Sequence, residues 1–291
     1  MFNFLHTFLP QPILFQFGFL TVYWYGLFVV SAMIVGLFVA VKVAKRLGIN
    51  HEEMLNLIFY LIIFGLLGAR LYAVMLDLPY YLSEPLEMIA VWHGGLAIHG
   101  GIIGGLVTLI VYCYKKKQSF WLLADVLALA LPLGQAIGRW GNYFNQELFG
   151  RPTSSVWGIP IAPQNRPAGY INFTYFQPTF LYESVLNLLN FFILLILFYH
   201  FSQPERPRQG VRGVEGSQTL KRVQGDRRGL IALVYLINYS LIRIFMEQFR
   251  TDSTPIALGL RLPILVSILI IIISSALIIF RVRVFKKEFP S

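Results

Sequence analysis

Residues 262–280 read LPILVSILIIIISSALIIF, a stretch without a single charge. As a helix it is long enough to cross about 30 Å of hydrocarbon. A helix on the surface of a soluble protein carries a polar stripe, and this one has none. Backbone facing lipid must satisfy its own hydrogen bonds, so the stretch has to be helical. Working outward towards the N-terminus, six more stretches fit the same description, at approximately 20–41, 56–75, 96–114, 120–137, 181–200 and 229–249. Only the charged turn at 115–119 divides the third of the seven from the fourth. The whole chain of 291 residues is 56% hydrophobic and 13% charged, against roughly 25% charged in ordinary globular domains. The expectation is one all-α domain over 1–291, a polytopic transmembrane bundle of seven helices.

Orientation follows from the positive charges. Most of the 24 lysines and arginines fall in 42–51, 115–119, 201–228 and 281–291, on one side of the predicted spans. The positive-inside bias makes that side cytoplasmic, the N-terminus periplasmic and the C-terminus cytoplasmic. Residues 1–19 hold no Lys or Arg and no small-residue cleavage site follows, so the first apolar run reads as a retained span and not a cleaved signal. The net charge of +10 lies between apolar runs, a pattern that speaks against a nucleic-acid partner. The single cysteine, Cys113, excludes an internal disulfide framework and a multi-cysteine zinc site. His6, His51, His93, His99 and His200 are dispersed, so no metal or other cofactor is expected. Two loops stand apart. Residues 142–180, rich in Pro, Gly, Asn and aromatics, read as an ordered periplasmic loop region. Residues 202–228 read as a disordered, basic cytoplasmic loop suited to anionic lipid heads.

Charged groups inside spans carry the functional information, since each costs roughly 2.5–3.5 kcal/mol at the bilayer centre. Arg243, Glu247 and Arg250 share one helical face, where Glu247 can pair with either arginine. An ion pair that merely pins helix register explains such a face equally well. Topology adds weight to a site. Tyr25, Arg70, His99, Arg139, Asn142, Asn145, Glu147, Tyr182, Glu183, Arg243, Glu247 and Arg250 all fall near outer ends of the predicted helices. The arginines outnumber the nearby carboxylates, which suits an anionic ligand such as a phosphate. His99 lies among Gly94, Gly95, Gly100, Gly101, Gly104 and Gly105. The glycines serve close helix packing. The histidine is either a hydrogen-bonding core residue or a general base.

Residues 138–150 read GRWGNYFNQELFG. This resembles the signature of the prolipoprotein diacylglyceryl transferase family: glycine-arginine, then Gly-Asn-aromatic-aromatic-Asn-x-Glu-x-x-Gly. Tyr23 to Leu27, Gly68 to Arg70, Trp92 to Gly101, Pro178 to Glu183, and Arg243 with Glu247 and Arg250 extend the resemblance through six helices in order. It implies transfer of the diacylglyceryl group of phosphatidylglycerol to the lipobox cysteine of a preprolipoprotein signal peptide, with release of glycerol phosphate, at the periplasmic leaflet of the bacterial inner membrane. It further implies Arg139, Arg243, His99, Tyr25, Asn142 and Glu147 as the catalytic set. Arg139, Arg70, Asn145, Tyr239, Glu247 and Arg250 would bind substrate. His99 is the first candidate for the base, with water or an arginine-paired group as the second. Gln177, in place of a frequent histidine, and His93, in place of an occasional aspartate, depart from the family pattern, and the 202–228 loop is long. Three other classes remain at this point. A lipid transporter needs a polar path through the inner halves of the helices, where few charges lie. A seven-helix receptor needs a structured cytoplasmic coupling surface. A scaffold would leave the 138–150 constellation without a use.

Overall fold

The computed structural model describes residues 2–18, 20–201, 228–251 and 254–288. Except for Arg228, the loop expected to be disordered lies outside the described residues. The chain opens with a short helix, α1 (Phe2–Thr7), and an antiparallel hairpin of β1 (Ile13–Phe17) and β2 (Leu20–Tyr23). Next come α2 (Trp24–Arg46), α3 (His51–Leu76), the short α4 (Leu78–Ser83), α5 (Ile98–Lys116) and α6 (Phe120–Asn145). The two-residue strands β3 (Ile159–Pro160) and β4 (Tyr175–Phe176) pair within the following loop. Then come α7 (Thr179–Phe201), α8 (Leu230–Glu247), a hairpin of β5 (Ile256–Ala257) and β6 (Leu260–Arg261), and α9 (Leu262–Glu288). Among the described residues, seven helices are long and apolar enough to span a membrane: α2, α3, α5, α6, α7, α8 and α9 to Arg281. The protein is an all-α, multi-pass membrane protein, as hydropathy alone requires.

Helix limits differ from the expected ones for local reasons. The first span begins at Trp24 because residues 20–23 are claimed by the ladder to β1. The second begins at His51, ahead of its apolar run. Asn50 takes the N-cap and its side chain accepts from Glu52 N at 2.8 Å, with Glu52 and Glu53 in the first turn. The fourth runs on to Asn145, so the signature residues Arg139 and Asn142 lie on helix and not in a loop.

The chain packs as two compact units, residues 37–126 and residues 1–36 with 127–291. In the first of these, α3 and α5 meet through glycine. A Cβ on Gly68 would stand 2.5 Å from the Gly100 carbonyl oxygen, and one on Gly100 would overlap the Gly68 carbonyl. No side chain fits in that seam, which fulfils the close-packing role expected of these glycines. In the other unit, the loop after α6 has its own apolar core. Leu5, Tyr143, Phe149, Ile159, Ile161, Phe176 and Phe180 cluster there, all buried. His6 of α1 stacks on Tyr175, centroids 4.1 Å apart, and its Nδ1 lies 2.8 Å from the Gly158 carbonyl. The loop is therefore ordered by burial despite having almost no regular structure.

Candidate functional site

The last two turns of α6 point Arg139 and Asn142 to one side. Beyond the helix the chain turns sharply, with Gln146 and Leu148 both in the left-handed region (φ 52° and 54°) and Glu147 between them. Such conformations cost of order 1–3 kcal/mol each for ordinary residues and persist only where surroundings enforce them. Here the enforcement is visible. The buried Gln146 side chain donates to the Pro10 carbonyl and accepts from Ala162 N, both at 2.7 Å. The Thr179 hydroxyl donates to the Leu148 carbonyl. Glu147 is thereby presented to Asn142, whose Nδ2 donates to Glu147 Oε1 at 2.7 Å, while Asn145 Nδ2 lies at 3.4 Å from the same oxygen. Arg139 NH1 lies 3.4 Å from Asn142 Oδ1, closing the group. Tyr25, at the start of α2, is seated over Gly141, where a Cβ would stand 2.7 Å from its ring. This contact explains the second glycine of the signature.

Two buried carboxylates organise the arginines. Glu183, near the start of α7, meets Arg139 NH2 at 2.6 Å through Oε2 and Arg250 NH1 at 3.6 Å through Oε1. Glu247, at the end of α8, meets Arg243 NH2 at 2.8 Å through Oε2 and Arg261 Nε at 3.0 Å through Oε1. Arg261 NH1 also donates to the carbonyls of Glu247 and Arg250, at 3.1 and 3.3 Å. These contacts run without a break from Arg139 on α6 to Arg243 on α8. Arg250 was expected beside Glu247 on one helical face. Because α8 ends at Glu247, that register is lost, and Arg250 instead forms a bridge with Gly150 and reaches Glu183.

Two members of this network were not in the expected site. Glu183 stands among the outer-end residues and closes a stretch of the family resemblance, but nothing in the sequence assigns it a role. Arg261 is not singled out by any motif, and nothing in its neighbours' composition ties it to Glu247. A neutral tier also lies deeper in the same three helices. Gln135 Nε2 donates to the Tyr235 hydroxyl at 3.0 Å, and Asn238 Nδ2 to Asn190 Oδ1 at 2.9 Å. Tyr239 stacks near Tyr235, centroids 6.0 Å apart.

Arg70 and His99 belong to the unit of residues 37–126. Arg70, expected to bind substrate, is buried and spends its guanidinium on backbone. It donates to the carbonyls of Met88, Gly94 and Gly95 at 3.1, 2.5 and 2.8 Å, and to those of Glu87 and Ala90. It also lies over the Tyr81 ring. What it holds is the segment between α4 and α5. In that segment His93 Nδ1 lies 2.9 Å from Glu87 Oε1. His99 is exposed in the first turn of α5, its ring 6.0 Å from that of Tyr72. Among the described residues no group of three or more His, Cys, Asp or Glu could hold a metal ion.

Comparison with known proteins places the chain in a family. The family model described as "Prolipoprotein diacylglyceryl transferase" matches residues 12–280. A curated protein of Synechocystis sp. named phosphatidylglycerol–prolipoprotein diacylglyceryl transferase is 41% identical over 268 residues, covering 92% of this chain and 88% of its own. One of the same name from Synechococcus elongatus is 42% identical, over 90% of this chain and 84% of its own. Another from Staphylococcus carnosus is 38% identical, over 93% of this chain and 90% of its own.

Proposed function

The chain belongs to the prolipoprotein diacylglyceryl transferase family, and on that premise we propose that Arg139 and Arg243 hold the phosphate of phosphatidylglycerol while a prolipoprotein cysteine takes its diacylglyceryl group. One observation carries this reading. Each arginine is fixed by a buried carboxylate and yet keeps part of its own side chain exposed, 23% for Arg139 and 19% for Arg243. Guanidinium groups held in this way are pre-organised for an anion and need little reorganisation when charge develops.

In the reaction the cysteine Sγ attacks the glyceryl carbon that carries the phosphate ester. A C–S bond forms as the C–O bond breaks, and the electron pair leaves on the oxygen of glycerol phosphate. Arg139 and Arg243 stabilise that charge. The attacking species is the thiolate. His99 is the first candidate to take the thiol proton, with water as the second. Tyr25, Asn142 and Glu147 orient Arg139 and the head group, and Asn145, Tyr239, Glu247 and Arg250 complete the lipid site. The reaction takes place at the periplasmic leaflet of the inner membrane, on the lipobox cysteine of a signal peptide, as the first step of lipoprotein maturation. The positive charges gathered at the opposite helix ends support that orientation.

The test uses purified protein, phosphatidylglycerol and a lipobox peptide, with the peptide mass read for the diacylglyceryl increment. Arg139→Ala and Arg243→Ala are each expected to lower the rate by at least about 10²-fold. A near-normal rate in either would remove the phosphate assignment. His99→Gln is expected to slow transfer near neutral pH and to recover partly as pH rises and thiolate forms unaided. An unchanged rate across that range passes the role to water.

A further inference from the structure

The segment between α8 and α9 holds a residue that neither the signature nor the hydropathy picks out. We infer that Arg261 is a positioning residue. By occupying one oxygen of Glu247, it keeps that carboxylate from capturing Arg243, and so leaves Arg243 available to the phosphate. The inference rests on the function proposed above.

Glu247 has no exposed side-chain surface. Its two oxygens are divided between two arginines, Oε2 for Arg243 and Oε1 for Arg261. A carboxylate without water and with one free oxygen would satisfy that oxygen from its nearest cation. A guanidinium does so readily by turning to a two-pronged grip. Arg243 is four residues away on the same helix and is the group that would turn. Its N–H bonds would then be spent on Glu247. With Arg261 in place the carboxylate is already shared. Neither contact is aligned as a hydrogen bond, so Glu247 holds Arg243 by charge and not by a two-pronged grip.

The local fold places Arg261 for this task. The hairpin of β5 and β6 turns on Leu258 and Gly259, both with positive φ (50° and 75°), which returns Arg261 to pair with Ile256. Arg261 Nε is then fixed by Thr254 Oγ1 at 2.7 Å, and NH1 by the carbonyl of Glu247, the last residue of α8, and by that of Arg250 beyond it. The Glu247 carbonyl is one of those that a helix end leaves without partners. One side chain thus caps the helix that carries Arg243 and shares the acid that restrains it.

The experiment compares Arg261→Gln, Arg261→Lys and the double variant Arg261→Gln/Glu247→Gln with the unaltered full chain in detergent containing phosphatidylglycerol. Two readouts are taken: kcat for transfer to a lipobox peptide, and thermal stabilisation by glycerol phosphate. Arg261→Gln is expected to lose about 10- to 100-fold in kcat and most of the stabilisation. The double variant is expected to regain at least about tenfold in kcat over Arg261→Gln, because no carboxylate remains to draw Arg243 away. Arg261→Lys is expected to stay within about fivefold of the unaltered protein, since the charge opposite Glu247 is kept. An Arg261→Gln variant at full rate overturns the inference. So does a double variant no faster than Arg261→Gln, which would reduce Arg261 to a helix cap. If Arg261→Gln does not fold, the lysine variant decides: normal melting with more than a tenfold loss in kcat also overturns it. Unaltered protein that forms no product refutes the transferase reading. The glycerol phosphate readout still tests Arg261 in that case, because it needs no turnover.

Discussion

Gln146 shows how much of the site rests on a residue that looks like filler. In the signature it occupies an unconstrained place between Asn145 and Glu147. In the fold its buried amide ties the Pro10 carbonyl to Ala162 N and holds a left-handed turn that aims Glu147 at Asn142. Gln146→Ala deletes both bonds and leaves a buried donor and acceptor unpaired, at about 1–3 kcal/mol each. The expected result is a clear fall in thermal midpoint together with reduced transfer, measured by melting and peptide mass in the same detergent. An unshifted midpoint would mean that the turn holds itself. Arg139, Asn142 and Glu147 could be read from sequence because their motif is long and ordered. The roles of Gln146, Glu183 and Arg261 could not, because they depend on partners up to 136 residues away, where spacing carries no signal.

The spans were legible because the bilayer imposes one requirement on every one of them, enough apolar residues in a row. The ends were less legible, because caps and hairpins set them: Asn50 for α3 and the β1 ladder for α2. The core of the loop after α6 had no periodic signature at all, since its strands are two residues long. The seam of α3 and α5 gives the sharpest test at this scale. Gly100 packs against the Gly68 carbonyl and the Tyr72 side chain with no space for a Cβ. Gly100→Leu would force the two helices apart, at a cost of about 1–3 kcal/mol or more. It is expected to lower the melting temperature well beyond Gly169→Ala, where a Cβ meets nothing within 4 Å. Equal melting of the two variants would contradict the packing.

For the molecule as a whole, the distribution of positive charge predicts which ends of the helices face the cell interior. The lone cysteine, Cys113, is buried, so background labelling is low. A membrane-impermeant thiol reagent applied to intact spheroplasts is expected to label Ser154→Cys, in the exposed loop after α6, and to spare Lys116→Cys until the membrane is opened. The reverse pattern would invert the topology and move the proposed chemistry to the cytoplasmic leaflet. The buried acids have a further consequence for the medium in which the protein works. Mobile ions weaken exposed charge pairs within a Debye length of about 8 Å at physiological ionic strength, but they do not enter a dry interior. Glu183 and Glu247 show 6% and 0% of their side chains, whereas His93 and Glu87 show 59% and 27%. Raising sodium chloride is therefore expected to reach an exposed contact such as His93 with Glu87 far more than the arginine pairs of Glu183 and Glu247, on which the proposed anion grip rests.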